Sequence, residues 1–351
     1  MSFTPGEAVP WFRSPTAGTP NFAFSAAAGR YVLLAFSPQP GAERELLSAQ
    51  IGIHRARLDD QHCAAFVVLS DAASIAAAKD QAPGVRYFLD PQGELFRLYG
   101  LEDEGGERRS VCLLLDPTLR IIASGPLAQA PGIFQRLAAL PSPEEHAGTP
   151  LHAPVLIAPR IFEPAVCQRL VAFYEAKGGE ASGVMREIGG RTVPVLDDFK
   201  SRRDALIEDE AFRTELRGRI VKRLLPQIEN AFQFRATRME RYIVARYAAD
   251  EGGYFRPHRD NTTKGTAHRK FACSINLNDD FEGGDLRFPE YGRRTYRPPL
   301  GGAVVFSCSL LHEATAVTRG ERFAFLPFFY DEHGARIRAE NSQHIGEAAE
   351  S

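Results

Sequence analysis

The sequence predicts two domains, an α/β domain over residues 1–150 and an all-β domain of sandwich or jelly-roll type over residues 151–335. The first half alternates apolar, strand-like runs with helical patterns. The second half carries short strand-like runs at intervals of roughly 8–15 residues, separated by Gly, Pro and Asp. Between the halves, residues 141–150 are rich in Pro, Gly and charge, which is typical of a linker. Residues 336–351 are predicted to form a frayed polar tail.

The composition agrees with two packed domains and narrows the function. The chain has 351 residues, of which 44% are hydrophobic, enough for two cores. Its net charge of −2 gives no support for nucleic-acid or membrane binding, and a basic segment at 200–203 is offset by Asp197, Asp198 and Asp204. No apolar run reaches the roughly 18 residues of a spanning helix, and no signal peptide is expected. Five scattered cysteines without C-x-x-C spacing predict a cytoplasmic protein.

The α/β prediction for the first half depends on the order of its elements. Strands are expected at 30–36, 63–70, 111–116 and 121–124, and helices at 43–58, 75–80 and 131–140. The last two strands are expected to form a hairpin. Strands that alternate with helices predict a sheet whose order is partly parallel.

The all-β prediction for the second half depends on β-branched and aromatic runs bounded by turn residues. Strands are expected near 241–247, 271–278, 283–288, 301–306 and 322–330, and helices at 163–177 and 209–232. The Gly-rich, polar segment 178–198 is either a mobile lid or a plain surface loop. Residues 268–270 (HRK) are expected to form a solvated turn before a strand, although a polar substrate could also use them.

The motif that carries chemistry lies in residues 254–260 (YFRPHRD). In an extended strand successive side chains alternate between faces, so His258 and Asp260 are expected to point the same way. His312 can complete a three-ligand face on a metal ion. Two histidines and one carboxylate that leave other positions open are the ligand set of non-haem Fe(II) oxygenases. The sequence therefore predicts a metal centre formed by His258, Asp260 and His312.

Over about residues 155–335 the chain resembles the 2-oxoglutarate- and Fe(II)-dependent dioxygenases, specifically their prolyl 4-hydroxylase-like branch. The residues that carry the resemblance are Tyr247, the turn at Gly253 and Tyr254, residues 258–261, residues 283–288, His312 and Arg322. The resemblance implies a double-stranded β-helix, or jelly roll, with the helices supporting one sheet. It also implies that Arg322 binds the distal carboxylate of 2-oxoglutarate, since its planar fork meets a carboxylate bidentately. Tyr247 is expected to hydrogen-bond the same carboxylate, and Asn276 to line the pocket.

The chemistry implied by this resemblance is oxidative. It requires Fe(II), 2-oxoglutarate and O2, with ascorbate as a further cofactor. The reaction releases succinate and CO2 and hydroxylates an unactivated C–H bond of a prolyl residue, an amino acid or a small metabolite. Halogenases of this superfamily leave the carboxylate position of the metal site free for halide. Asp260 therefore favours hydroxylation over halogenation.

The first domain resembles the peroxiredoxin branch of thioredoxin-like domains at residues 5–12, 88–94 and 98–101. It departs from that family where a peroxidatic cysteine would follow the first buried strand, because residues 37–44 contain no sulfur. Cys63 and Cys112 fall within apolar strands, where cysteine is usually a small buried hydrophobe. The domain is therefore expected to be non-catalytic and to act as a scaffold, a homodimer surface or part of the substrate platform.

Two other classes of function remain open. The β domain could be a binding module with an inactive oxygenase site, although its intact ligand set argues against this. Alternatively, the protein could be a redoxin-type scaffold whose second half recruits a partner, which the absent cysteine disfavours.

Overall fold

The structure, a computed structural model, describes residues 3–346 and divides into two compact units. The first comprises the described residues through His152 together with Pro289–Arg293. The second comprises Ala153–Phe288 and the described residues from Arg294 onward. None of the helices in the described part of the chain is long and apolar enough to cross a membrane.

The first unit is an α/β layer. Its strands are β1 Arg13–Ser14, β2 Phe22–Ala23, β3 Tyr31–Ser37, β4 Cys63–Leu69, β5 Val85–Leu89, β6 Val111–Leu115 and β7 Ile121–Pro126, and its helices are α1 Ala42–Ile53, α2 Ala72–Ala77, α3 Glu94–Leu98 and α4 Ala130–Ala138. The main sheet has the order β5-β4-β3-β6-β7. The β3, β4 and β5 strands are parallel, whereas β6 pairs antiparallel with β3 and β7. The predicted hairpin and the partly parallel order are therefore confirmed.

The two central strands of this sheet are buried along their whole length. Every residue of β3 and β4 is buried, because helices cover one face of the sheet and aromatic rings pack on the other. Leu47 of α1 and Phe134 of α4 belong to the same core cluster as Leu33 and Val67. On the opposite face the rings of Phe66 and Phe88 stack 5.3 Å apart. This explains why these strands have continuous apolar sequences rather than alternating ones.

The second unit is mostly sheet. Its strands are β8 Leu156–Ala158, β9 Glu180–Ala181, β10 Val184–Ile188, β11 Arg191–Val195, β12 Lys200–Ser201, β13 Arg203–Leu206, β14 Arg238–Glu240, β15 Ile243–Ala248, β16 Tyr254–His258, β17 Phe271–Asn276, β18 Glu282–Gly283, β19 Leu286–Arg287, β20 Thr295–Tyr296, β21 Ala303–Ser307, β22 His312–Ala314, β23 Val317–Arg319, β24 Glu321–Phe325 and β25 Phe328–Tyr330. Its helices are α5 Pro164–Lys177, α6 Glu210–Arg223, α7 Leu225–Phe232 and α8 Glu332–Glu340.

Two sheets of this unit face each other. The larger sheet has nine strands, with the path β14-β25-β17-β24-β15-β13-β9 and with β21 joined to β17 and β8. The smaller sheet has the order β12-β16-β22-β19-β20. Tyr247 of the larger sheet packs with Ala314 of the smaller one in a small buried cluster. The facing sheets agree with the predicted sandwich.

Strand alternation separates the two faces of the larger sheet. On β24, Phe323 and Phe325 belong to the main core together with buried residues of α5, α6 and α7, so these helices cover the outer face. Arg322, one residue before Phe323, points to the opposite, inner face. Ser274 and Asn276 alternate in the same way with the core residue Ile275 on β17. A polar strip therefore lies on the inner face, toward the smaller sheet.

Three predicted segments differ from the structure. The single helix expected over 209–232 is two helices, because the ring of Pro226 cannot continue the preceding helix, and the break falls at Leu224. The segment 178–198, predicted as a lid or a surface loop, contains the antiparallel hairpin of β10 and β11, and a role as a lid stays a prediction. The predicted tail is helical at its start, since α8 extends to Glu340. Residues 347–351 of that tail lie outside the described residues.

Candidate active site

The candidate metal ligands lie on the smaller sheet. His258, the last residue of β16, is directly opposite His312, the first residue of β22, in an antiparallel pair. Asp260 follows two residues later, and its backbone N–H donates a 3.0 Å hydrogen bond to the carbonyl of Cys308. The three side chains each bring one ligand atom to within 4.8 Å of the others. The chain segments that the sequence predicts to converge are thus brought together by strand pairing.

The hydrogen bonds of the two imidazoles define which ring nitrogen faces the site. Nδ1 of His258 bonds to the carbonyl of Arg256 at 2.8 Å, and Nδ1 of His312 bonds to the carbonyl of Leu310 at 3.1 Å. A carbonyl can only accept, so each Nδ1 carries the proton and each neutral ring keeps a lone pair on Nε2. Backbone carbonyls orient metal-binding histidines in this way.

The ligand atoms face one another without a proton between them. Nε2 of His258 lies 3.6 Å from Asp260 Oδ1, and Nε2 of His312 lies 3.3 Å from Asp260 Oδ2. Lone pairs that face a carboxylate repel it unless a cation lies between them. This donor set fits a divalent metal ion. It is the one cluster of at least three His, Cys, Asp or Glu ligands found in residues 3–346.

Burial and aromatic packing define the environment of these ligands. Burial, together with the neighbouring His312, lowers the pKa of His258 to about 4. Phe255 stacks on the His258 ring with centroids 3.4 Å apart, and Phe306 packs 4.5 Å from the His312 ring. The His258 imidazole is therefore neutral at pH 7, and both imidazoles are held in place by packing.

Arg322 is a buried cation on the inner face of the larger sheet, with only 3% of its surface exposed. Its Nη2 donates to the hydroxyl of Ser274 at 2.6 Å, and Nε and Nη2 donate to Asn276 Oδ1 at 3.2 and 3.1 Å. Within the described part of the chain, no carboxylate lies within 4.0 Å of this guanidinium. Burial lowers the pKa of Arg322 because the charge has lost water without gaining a counter-ion. The residue can therefore bind an anion.

Asn276 and Tyr247 lie beside Arg322. Asn276 accepts the guanidinium hydrogen bonds and donates its own amide to the carbonyl of Pro298 at 3.0 Å, so it positions Arg322. Tyr247 is the cross-strand partner of Arg322, and its ring centroid lies 5.5 Å from the guanidinium carbon. Its hydroxyl accepts a 3.3 Å hydrogen bond from Arg202. Both residues border the site, and their direct contact with a co-substrate stays a prediction.

The prediction for residues 268–270 is wrong at its first two positions. His268 is 2% exposed, and its Nε2 lies 3.0 Å from Glu240 Oε2. Arg269 donates to the other carboxylate oxygen of Glu240 at 2.7 Å. The bonds from His268 and Arg269 outweigh the burial of Glu240 and lower its pKa to about 2. Local polarity suggested a solvated turn, whereas a carboxylate on β14 pairs with these side chains and buries them.

Sequence reasoning also missed three basic residues near the site. Lys200, Arg202 and Arg241 come from different segments and surround the single carboxylate of Asp204. Of the three aspartates that were expected to offset the basic segment 200–203, only Asp204 pairs with a residue of that segment. Asp197 pairs with Arg186, and Asp198 pairs with Arg256.

Comparison with known proteins assigns this region. Residues 242–330 match the 2OG-Fe(II) oxygenase superfamily. Mouse procollagen-lysine,2-oxoglutarate 5-dioxygenase 1 is 28% identical over 177 residues, which are 48% of this chain and 23% of that protein. A PKHD-type hydroxylase of Acinetobacter baumannii is 28% identical over 172 residues, 45% of this chain and 71% of that protein. A solved prolyl hydroxylase from Trichoplax adhaerens, in complex with a hypoxia inducible factor peptide fragment, has a TM-score of 0.42 and 16% identity, and covers 53% of this chain and 86% of that chain.

Both histidines, Asp260 and Arg322 lie within the residues that match the 2OG-Fe(II) oxygenase superfamily. The chain thus spans about a quarter of the collagen-lysine hydroxylase and about 70% of the PKHD-type hydroxylase that it matches.

Proposed function

We propose that the protein is an Fe(II)- and 2-oxoglutarate-dependent dioxygenase that hydroxylates an unactivated C–H bond. The observation that carries this proposal is the convergence of His258, Asp260 and His312, whose ligand atoms lie within 4.8 Å of one another while each Nδ1 bonds to a backbone carbonyl. Two histidines and one carboxylate suit Fe(II) and leave coordination positions for other ligands. When bound, iron with 2-oxoglutarate and O2 would supply the oxidising power, and the reaction would release succinate and CO2.

The residues of the chain would have separate tasks. His258, Asp260 and His312 would hold the metal, and Phe255 and Phe306 keep the two imidazoles in place. Arg322 would bind the distal carboxylate of 2-oxoglutarate in a buried, bidentate ion pair. Ser274 and Asn276 hold its guanidinium in place, and Tyr247 would add a hydrogen bond to the same carboxylate. The facing sheets would then form the jelly roll, or double-stranded β-helix, that encloses this chemistry.

The substrate would be a prolyl residue, an amino acid or a small metabolite. The collagen-lysine and PKHD-type relatives support hydroxylation but do not select among these substrates. Ascorbate would keep the iron reduced between turnovers. We further propose a cytoplasmic location, which is consistent with five buried cysteines that form no disulfide.

The first unit would be a thioredoxin-like domain without peroxidase activity. Its mixed sheet with parallel β3, β4 and β5 supports this assignment. We propose that it is a scaffold through which the protein forms a homodimer, and sedimentation velocity of the full chain against a chain that begins at residue 151 would test this.

The decisive experiment measures co-substrate binding and turnover separately. The purified chain, loaded with Fe(II) without oxygen, is titrated with 2-oxoglutarate, and O2 is then admitted with a panel of peptides and amino acids while succinate is quantified. We expect saturable 2-oxoglutarate binding that requires Fe(II), and succinate that rises with one class of substrate. A chain that binds neither Fe(II) nor 2-oxoglutarate would instead be an inactive binding module.

A further inference from the structure

Beside the metal ligands lies a second group of charged residues, which we call the cationic cluster: Lys200, Arg202 and Arg241, with Asp204 between them. Arg202 donates to Asp204 Oδ2 at 2.6 Å, and Arg241 lies 3.3 Å from the same oxygen. The Nζ of Lys200 donates to the hydroxyl of Ser182 at 2.7 Å. Ser182 in turn donates to Asp204 Oδ2 at 2.5 Å. Three basic side chains are thus connected to a single carboxylate.

The cluster has more positive than negative charge and unfilled hydrogen-bonding capacity. Arg202 is 7% exposed, and its Nε has no hydrogen-bond partner within residues 3–346. Oδ1 of Asp204 likewise has none in that range. Buried polar atoms are normally paired, and an unpaired buried guanidinium N–H is a position at which an anion can bind.

The charge state of Lys200 indicates how much negative charge a bound anion would carry. Burial and the neighbouring Arg202 lower the pKa of Lys200 to about 5, so this amine is neutral at pH 7. The two guanidinium groups and Asp204 then leave a net charge of about +1. One carboxylate balances that charge, and a dianion would exceed it.

The position of the cluster connects it to both parts of the active site. Strand β12 pairs with β16 so that Lys200 lies opposite Phe255, and its Nζ is 4.9 Å from that ring. The same ring stacks on His258, so a single aromatic side chain separates the Lys200 amine from a metal ligand. The guanidinium of Arg202 lies 5.7 Å from the ring of Tyr247, which also faces Arg322.

Arg241 provides a second observation. Its φ of +65° is in the left-handed region, which non-glycine residues rarely adopt. Such conformations concentrate at functional sites, where surrounding contacts hold them. The Arg241 side chain remains 29% exposed, so the cluster can be reached from solvent.

We propose that the cationic cluster binds a carboxylate of the substrate and holds that substrate beside the metal ligands. As a substrate site this rests on the proposed function, and it narrows the substrate class to carboxylic acids. Two kinds of substrate carry such a carboxylate: a free amino acid has its α-carboxylate, and a peptide can have an acidic side chain. Arg322, which bonds to Ser274 and Asn276 instead, remains available for the co-substrate.

The test is equilibrium binding by calorimetry on the full chain without metal, so that it does not depend on turnover. The probes are N-acetylated amino acids with their primary amides, and a glutamyl peptide blocked at both ends with its glutaminyl counterpart. We expect one of the two acid types to bind at least about tenfold more tightly than its amide, as a lost charge-assisted hydrogen bond requires. Which pair shows the preference identifies the source of the carboxylate.

Substitutions locate the preference. Lys200→Met and Arg202→Met are expected to reduce the acid preference to within about twofold, and Lys200→Arg to retain it. The matched control is Arg203→Met, because Arg203 is exposed and bonds only the carbonyl of Gly179. The preference should also persist in Arg322→Met, which separates this site from the co-substrate arginine. Thermal unfolding of each variant identifies any that fails to fold.

Equal binding of acids and amides, or a preference that survives Lys200→Met and Arg202→Met, would overturn the inference. A preference that vanishes in Arg322→Met would overturn it as well, because the carboxylate would then bind at Arg322. These results are distinct from failure of the proposed function. A chain that prefers acids but never forms succinate would keep the anion site and lose the enzyme activity.

Discussion

Two polar clusters, one in each unit, differ in how fully their hydrogen bonds and charges are paired. In the first unit, Arg44 lies in the segment 37–44, where a peroxidatic cysteine would be expected, and each nitrogen of its guanidinium donates a hydrogen bond. It donates to the hydroxyl and the carbonyl of Ser37 at 2.7 and 2.6 Å, to Asp71 at 3.0 Å, and to Ser74. In the second unit, three ligands converge on one point with their lone pairs unshared, and Arg322 has only neutral partners.

This difference separates a structural polar cluster from a binding site. Both clusters contain an arginine, an aspartate and a serine, so the presence of these residue types alone does not distinguish them. A satisfied network stabilises its surroundings and has no capacity left for a ligand. A buried group that lacks its counter-charge has lost hydration and recovers the energy only when an ion binds.

The largest expected effect is the loss of the metal centre, and it is the result most able to break the comparison. Asp260→Ala removes the only carboxylate of the ligand set, so we expect metal affinity and succinate formation to fall by at least about 100-fold. Equilibrium dialysis with Fe(II) or Co(II) measures the first, and a turnover assay the second. The control is Asp250→Ala, an exposed carboxylate in the turn that precedes β16. Wild-type rates in Asp260→Ala would contradict the ligand assignment.

Arg322→Ala tests the unpaired cation. Removal of a bidentate, charge-assisted pair costs about 2–3 kcal/mol of binding energy, or a roughly 30- to 150-fold rise in the dissociation constant of 2-oxoglutarate. Anaerobic titration in the presence of Fe(II) measures this constant. Arg322→Lys keeps the positive charge but loses the planar guanidinium. Its dissociation constant for 2-oxoglutarate should therefore lie between those of the wild type and Arg322→Ala. An unchanged affinity in Arg322→Ala would remove Arg322 from the site.

Glu240→Gln tests a buried but fully paired polar group of the second unit, because Glu240 bonds to His268 and Arg269. Its pKa of about 2 is below the usual 4.5, so its stabilisation is complete above about pH 5 and is lost as the pH falls toward 2. We expect roughly 3 kcal/mol of destabilisation at pH 7, measured by urea unfolding, and a smaller difference in acid.

The matched control for that experiment is Glu332→Gln, an exposed carboxylate paired with Arg238. Since exposed ion pairs contribute little, its stability should be close to that of the wild type at every pH. A difference for Glu240→Gln that grows in acid would have the wrong sign for a depressed carboxyl pKa.

The smallest expected effect is in the first unit, where the thiols should be inert. All five cysteines are buried, and burial raises the pKa of Cys112 to about 12 and that of Cys63 further. A chromogenic disulfide reagent should label essentially none of these cysteines before unfolding. By contrast, the new thiol of Gln39→Cys, at an exposed position within the segment 37–44, should react at once. Hydroperoxide turnover that is lost in Cys63→Ala would instead revive the redoxin alternative.

The elements that could be predicted from the sequence are those whose pattern is local. The continuous apolar runs of β3 and β4 and the turn-bounded strands β15, β17 and β24 were predicted because burial dictates their residue types. The break at Leu224 and the hairpin of β10 and β11 were not. A proline within a helical pattern and a Gly-rich polar segment both permit more than one local structure.

The sequence by itself determined the ligand types and their order, since His258, Asp260 and His312 form a recognisable set only in combination with strand context, and the resemblance adds Arg322. Tertiary structure decided which charges meet. Asp204 lies beside Lys200, Arg202 and Arg241, whereas Asp197 and Asp198 pair with other arginines. Coulomb and hydrogen-bond energies depend on distance in space, and strand pairing brings side chains together from segments far apart in the chain.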